Sequence, residues 1–448
     1  MKITFTNLGP VKHAEVELGR LTLVCGENNT GKTFVANGIY GFLWFWHKSF
    51  CMPVCDDVPR ELAEMGTAAV DMQPYFRDPS EVLEKAGMEF CECLPRILAA
   101  PGKRFTETRV AVDLAPCQTF YDDEFEHSFY FGNAELGVCK PKGSFEVLLT
   151  VLTEGTRPDF IPKSVVQRMA SVLKDVLFRD AVPRPFIVSA ERASAALFEG
   201  DLNVRGGRAT DGTWPTDGSM QYPLPVTADV RLAQRVQSVI KHESFVAAAQ
   251  TDVLASLENI LGGEFHIDSA GILRFTPRAS NVSLSMNECS NSVRSLLDLR
   301  LYLAFLAAKG DLLIVDGPEL YLHPGNQRRV ARLLARLVKL GVRVLLVTHS
   351  DYIVKELNLL MLMHSEDSHI RTVTESEKYT REETVDPNDV KLYATRNELP
   401  QNPEIDAPAV STRLLSLPVN GKSGINVESI DDTIGEIKRI EDELLFGT

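Results

Sequence analysis

The chain of 448 residues is 44% hydrophobic and 24% charged, the balance of a globular polypeptide long enough for two or three lobes. No apolar run reaches the roughly 18–20 residues that a membrane span needs, and Met1-Lys-Ile-Thr-Phe5 begins at once with strand-like alternation. These features predict a cytoplasmic protein with no signal peptide and no membrane partner. The net charge is −14, and from Asp351 onward 20 acidic residues stand against 10 basic ones, leaving −4 for the first 350 residues. Such a chain has no general attraction for nucleic acid, so DNA or RNA contact requires a local basic patch.

The apolar run Leu21-Thr-Leu-Val-Cys25 reads as a buried strand and leads into Gly26-Glu27-Asn28-Asn29-Thr30-Gly31-Lys32-Thr33. Glycine, four residues, then Gly-Lys-Thr is the spacing of a phosphate-binding loop, and the apolar pattern of Phe34–Leu43 supplies the helix that must follow. The glycines let successive N–H groups face phosphate oxygens, and the helix adds the positive end of its dipole. Lys32 is placed for the β- and γ-phosphates and Thr33 for Mg²⁺, so ATP and Mg²⁺ are the expected cofactors.

From Trp44 to Asp180 helical stretches such as Ser80–Phe90 mix with the alternating runs Phe125–Phe131 and Ser144–Leu152. No heptads are sustained, which excludes a long coiled-coil arm. The eight cysteines read as free thiols. His47, Cys51, Cys55, Cys91 and Cys93 are zinc-ligating residue types, but the paired C-x₂-C spacing is absent. Asn203–Ser219 is a glycine-rich loop long enough to suggest a contact role. A helical stretch from Asp229 to Leu261 and a hairpin around Gly271 follow.

Ser290-Asn291-Ser292 opens a helix predicted to run through Ala308, with a serine cap, a basic last turn and a glycine stop at Gly310. Hydroxyl residues at such a position make a second anion site. One nucleotide does not need two, which implies a dimer in which each subunit closes over the ATP of the other. Asp311–Asp316 is a short buried strand ending in a carboxylate, the Walker B element that faces the Mg²⁺ held by Thr33. The basic residues Arg328, Arg329, Arg332, Arg336 and Lys339 lie on a helix whose other face is apolar. They form either a solvated outer face or a nucleic-acid patch. Val342–Thr348 is another buried strand, closing on His349, which either senses a γ-phosphate or is an ordinary hydrogen-bonded histidine.

The order of loop, Ser-rich signature, Walker B with Leu322-His-Pro324, and Thr348-His-Ser350 resembles the ABC-type ATPases of the SMC/RecF class. It looks closest to the OLD and Septu PtuA-like ATPases of bacterial anti-phage defence. The resemblance implies an α/β ABC-type P-loop ATPase head with a mixed sheet flanked by helices. Residues 1–45 and 181–365 would form the core, 46–180 an α/β insertion in the first lobe, and 366–448 an acidic C-terminal extension. It also implies an ATP-dependent homodimer acting on a separate effector nuclease; a RecF-like DNA-repair clamp is the alternative. Pro185–Arg192 is similar to an element near the Q-loop of this class, which marks Glu191 and Arg192; a simple surface ion pair is the alternative.

The chain departs from the class in three places. The signature lacks the glycine pair of transporters. The 98 residues after Ser350 contain no Asp-x-Asp, so no Toprim nuclease is expected in the chain. The usual Asp-Glu-Pro-Glu reads Asp316-Gly317-Pro318-Glu319, which removes the glutamate that orients the attacking water. ATP hydrolysis is therefore expected to be slow, with Asp316, Glu319 and His349 as the remaining catalytic candidates. Ile430, Ile434, Ile437 and Leu444 recur at helical spacing after Ser429-Ile-Asp-Asp432, predicting a terminal acidic helix that either packs on its own lobe or docks the effector.

Overall fold

The computed structural model describes residues 1–153, 160–197, 222–249, 251–269, 271–398, 411–420, 424–425 and 428–446. The expected glycine-rich loop 203–219 lies outside them, as do the side chains of the expected helix cap at 429–432. In chain order the strands are β1 (Lys2–Leu8), β2 (Val11–Glu17), β3 (Leu21–Cys25), β4 (Thr67–Asp71), β5 (Arg109–Asp113), β6 (Phe125–Phe131), β7 (Ala134–Lys140) and β8 (Glu146–Thr153). They continue with β9 (Pro185–Val188), β10 (Gly263–Ile267), β11 (Leu273–Pro277), β12 (Leu284–Ser285), β13 (Leu312–Asp316), β14 (Arg343–Val347), β15 (Val390–Glu398) and β16 (Ser411–Leu417).

A mixed α/β fold results, built on one large sheet in the order β5-β1-β2-β16-β15-β3-β14-β13-β9. The strands β15, β3, β14, β13 and β9 run parallel, whereas β5, β1 and β2 form an antiparallel wing. β3 and β13 are buried at every position, as continuous apolar runs in a doubly covered parallel sheet must be. Their side chains alternate between two cores. Leu312 and Ile314 point to the core shared with Val35, Ile39 and Phe42 of helix Lys32–Lys48. Leu313 and Val315 point to the core shared with Val330, Leu334, Ile353 and Leu357. The latter belong to helices Pro324–Leu340 and Asp351–Leu362.

β15 and β16 come from the segment expected to be an extension, yet they sit in the middle of this sheet, β15 beside β3 and β16 beside β2. β15 and β16 therefore complete the core sheet rather than append to it. Residues 46–180 contribute the edge strand β5 and a separate four-stranded antiparallel sheet, β4-β8-β7-β6. The hairpin expected at Gly271 is β10-β11, turning through a left-handed Gly271 at φ 80°.

Two predicted helices are broken. The stretch 229–261 divides into Leu224–Gln234, Val236–Val239, Phe245–Ala249 and Thr251–Leu261. Ser244 interrupts it, donating to the Leu303 carbonyl and accepting from Ala247 N at 3.0 Å. The signature stretch divides into Asn291–Ser295, Leu297–Leu301 and a wide turn at Tyr302–Leu306. The first break falls where the Ser295 carbonyl accepts from Arg192 Nε at 2.7 Å. Among the described residues no helix is long and apolar enough to cross a membrane.

Candidate nucleotide site

The C-terminal ends of β3, β13 and β14 converge on a cleft of about 600 Å³ lined by Asn28, Asn29, Thr30, Gly31, Lys32, Thr33, Asp316, Gly317 and His349, with Pro10, Phe34, Ala190, Leu320 and Val347. Openings of this kind, at strand ends in parallel sheets, are where such folds take ligands. The loop itself needs special backbone conformations: Gly26 lies at φ 132°, Asn29 at 62° and Gly31 at 79°. No side chain caps helix Lys32–Lys48 at Gly31, so its first N–H groups stay open to an anion.

Lys32 is buried and folds back on its own loop, donating from Nζ to the carbonyls of Gly26 at 2.9 Å and Glu27 at 2.5 Å. Burial holds its ammonium below the usual lysine range, and the neighbouring Asp316 carboxylate partly offsets this. Asp316 is 5% exposed and hydrogen-bonded to the Thr33 side chain. Burial pushes its carboxyl up to about 6, Thr33 opposes the rise, and the charge of Glu191 adds to it. A hydroxyl and a carboxylate meeting in an electronegative recess is a donor set that suits Mg²⁺.

Glu319 does not reach the cleft as a free base. Its Oε2 accepts from Thr348 Oγ1 at 2.8 Å, and its Oε1 accepts from His349 N at 3.1 Å and lies 3.2 Å from His349 Nδ1. It ties the Walker B turn to the β14 end, leaving the His349 ring half exposed on the rim. Gly317 adopts a left-handed φ of 62°, and a Cβ there would meet Leu320 Cδ1 at 2.8 Å. A side chain at 317 is thus strained at this turn.

Arg192 is 2% exposed, not a surface residue. It donates to four carbonyls: Ser189 at 2.6 Å and Asp316 at 2.8 Å from Nη1, Gly317 at 2.7 Å from Nη2, and Ser295 at 2.7 Å from Nε. One guanidinium therefore joins the ends of β9 and β13 to the signature segment. Behind it lie Asp229 and Asp298, both 2% exposed; Asp229 accepts from Ser189 Oγ and is hydrogen-bonded to Asp298. Burial raises both carboxyls, the charge of Asp298 raises Asp229 further, and the Arg192 guanidinium opposes both rises. Glu191 is exposed, next to the cleft residue Ala190.

Ser290, Asn291 and Ser292 do not line this cleft. Ser290 caps its short helix, accepting from Val293 N at 3.4 Å, and its hydroxyl lies 2.7 Å from that of Ser292. Asn291 accepts from the buried Arg294 at 2.6 Å. The basic helix Pro324–Leu340 is less free than either reading expected. Arg328 and Arg332 each hold the buried Glu356 at 2.5 Å, and Arg336 pairs with Asp252.

Thr395 of β15 was not expected at the loop. Its hydroxyl sits 2.5 Å from Thr30 Oγ1 and 3.3 Å from the Cys25 carbonyl, and a Cβ on Gly26 would run into it. The alternation in Val390-Lys-Leu-Tyr-Ala-Thr395 marks a strand in the sequence; its neighbour is fixed only by the sheet. The zinc-ligating types do not converge. His47 Nε2 lies 3.1 Å from the Pro183 carbonyl, and no group of three metal-ligating side chains gathers among the described residues.

Residues 217–355 match a family model described as "AAA domain, putative AbiEii toxin, Type IV TA system". No curated protein matches the chain. Among solved structures, similarity extends to an SMC head bound to the C-winged helix domain of ScpA, at 10% identity and a TM-score of 0.35 over 93% of this chain and 97% of that one. The SMC head domain from Thermotoga maritima gives 10% identity and 0.31 over 93% and 98%. An SMC head with an extended coiled coil bound to the C-terminal domain of ScpA, derived from Pyrococcus furiosus, gives 10% and 0.32 over 98% of each.

Proposed function

We propose that the chain is an ABC-type ATP-binding subunit that pairs head to head over two nucleotides and controls a separate effector, a nuclease, in a bacterial anti-phage defence complex. The observation that carries the reading is the gathering of Lys32, Thr33 and Asp316 on one cleft with His349 on its rim. On ATP binding the Lys32 ammonium leaves the Gly26 and Glu27 carbonyls for the phosphates, while Thr33 and Asp316 hold Mg²⁺. The ion, when bound, neutralises charge developing on the phosphate oxygens. Ser290 and Ser292 stay outside their own cleft, which suits a role over the partner's nucleotide. The AbiEii-type description of the family matched by residues 217–355, with its "Type IV TA system", supports a role in a paired system.

Hydrolysis is slow in this reading because both oxygens of Glu319 are committed and Gly317 has no side chain. Glu191, exposed beside the cleft residue Ala190 and close enough for its charge to act on Asp316, is the carboxylate this reading assigns to the attacking water. A DNA clamp is the weaker reading, since Arg328, Arg332 and Arg336 already hold carboxylates of their own chain. Sedimentation with and without Mg·ATP tests the assembly: the wild type should dimerise with nucleotide and Ser292→Arg should not. ATP-independent behaviour of both proteins would overturn it.

A further inference from the structure

The helix Glu428–Phe446 has 19 residues, and from 435 to 446 it is exposed at every position. Ile437, Ile440 and Leu444 are 54%, 41% and 80% exposed, although their spacing places them on one stripe of the helix. At 100° per residue, Glu441 borders that stripe on one side and Glu436 and Glu443 on the other, while Lys438 and Arg439 lie away from it. The ion pair Arg439–Glu443 at 3.1 Å is itself exposed. An apolar seam lined by carboxylates on both sides has a definite complement. Against a second copy of itself, in either orientation, glutamate would face glutamate.

We propose that this helix docks its Ile437–Ile440–Leu444 stripe into an apolar groove flanked by Lys and Arg on a separate basic protein. The proposal rests on the reading of the chain as the controller of an effector. It assigns the contact to the terminal helix rather than to the whole acidic tail. Docking buries the three side chains and pairs Glu436, Glu441 and Glu443 across the rim, which raises the association rate and makes it salt-dependent.

The test uses the full chain and a labelled synthetic peptide of about four heptads with Ile and Leu in its seam and Lys on its flanks. A matched peptide with Glu flanks is the control. Fluorescence anisotropy should show binding of the Lys peptide only, weakened by salt and weakened more than about tenfold in the Ile437→Asp, Ile440→Asp, Leu444→Asp variant. Those positions are exposed, so circular dichroism and ATP affinity of the variant should be unchanged. Lys32→Ala should bind the peptide normally, which separates this result from the fate of the nucleotide site. Equal binding by wild type and variant, equal binding of the two peptides, no binding, or a wild-type oligomer that the triple variant dissociates would each overturn the proposal. The last outcome would give the stripe to a second copy.

Discussion

Arg192 donates to the carbonyls of both Asp316 and Gly317, at 2.8 and 2.7 Å, while its Nε holds Ser295 at 2.7 Å. The backbone of the residue proposed to hold Mg²⁺ and the segment proposed to face the partner's nucleotide are thereby fastened to one buried cation. Arg192→Met removes the guanidinium donor from four carbonyls, of which Gly317 keeps Leu320 N at 3.1 Å and Ser189 keeps the residue-192 N–H at 3.4 Å, and should cost about 2–4 kcal/mol. Arg192→Lys should recover little, because an ammonium cannot span the fork of acceptors. Urea denaturation of both variants measures this; a loss below about 1 kcal/mol would contradict the clamp.

Lys32→Ala should weaken Mg·ATP binding by at least about a hundredfold, since Lys32 is the loop's only side-chain cation. Titration with a fluorescent ATP analogue checks it, and unchanged affinity would mean that the loop does not hold phosphates.

Restoring the absent glutamate is not expected to restore rate. Gly317→Glu places a side chain at φ 62° against Leu320, so the protein should lose about 1–2 kcal/mol with no gain in phosphate release. Gly317→Asn, a residue that accepts this conformation, should be milder. Glu191→Gln should slow the residual turnover by about a hundredfold. A Gly317→Glu protein with faster turnover would show that the turn adapts.

Thr395→Val removes the hydroxyl beside Thr30 and the Cys25 carbonyl and should loosen the loop, with ATP affinity falling about three- to tenfold. Thr395→Ser should retain it. If neither changes affinity, β15 supports the loop through its backbone alone.

The Asp229–Asp298 pair sets a pH dependence. Burial pushes Asp298 up to about 7 and holds Asp229 well above the normal aspartate value of 3.8, so the folded chain keeps a proton that the unfolded chain releases near pH 4. The stability this contributes is complete below about pH 4 and is lost as pH rises through the folded value. Between pH 4 and 7 the urea midpoint should therefore fall more steeply in the wild type than in Asp298→Asn. Parallel curves would mean that burial does not hold Asp298 above its unfolded value.

The sequence alone determined the chemistry that is local along the chain. Gly26 to Thr33 fixes its own loop because the left-handed turns at Gly26 and Gly31 depend on glycines at set spacing, and the apolar runs at β3, β13 and β14 fix buried strands because both their faces must be covered. The Ser290 cap is legible for the same reason, since it depends on a few neighbouring residues. Tertiary structure decided what depends on distant partners. A lone Arg192 reads the same whether it pairs at the surface or clamps four carbonyls, and only folding brings Ser295 and Asp316 to it. Glu319 looks like a spare base until Thr348 and His349 claim its oxygens. Thr395 stands 369 positions from Gly26 in the chain, and strand order alone makes them neighbours, because pairing within a sheet is set by which edges the whole fold leaves open.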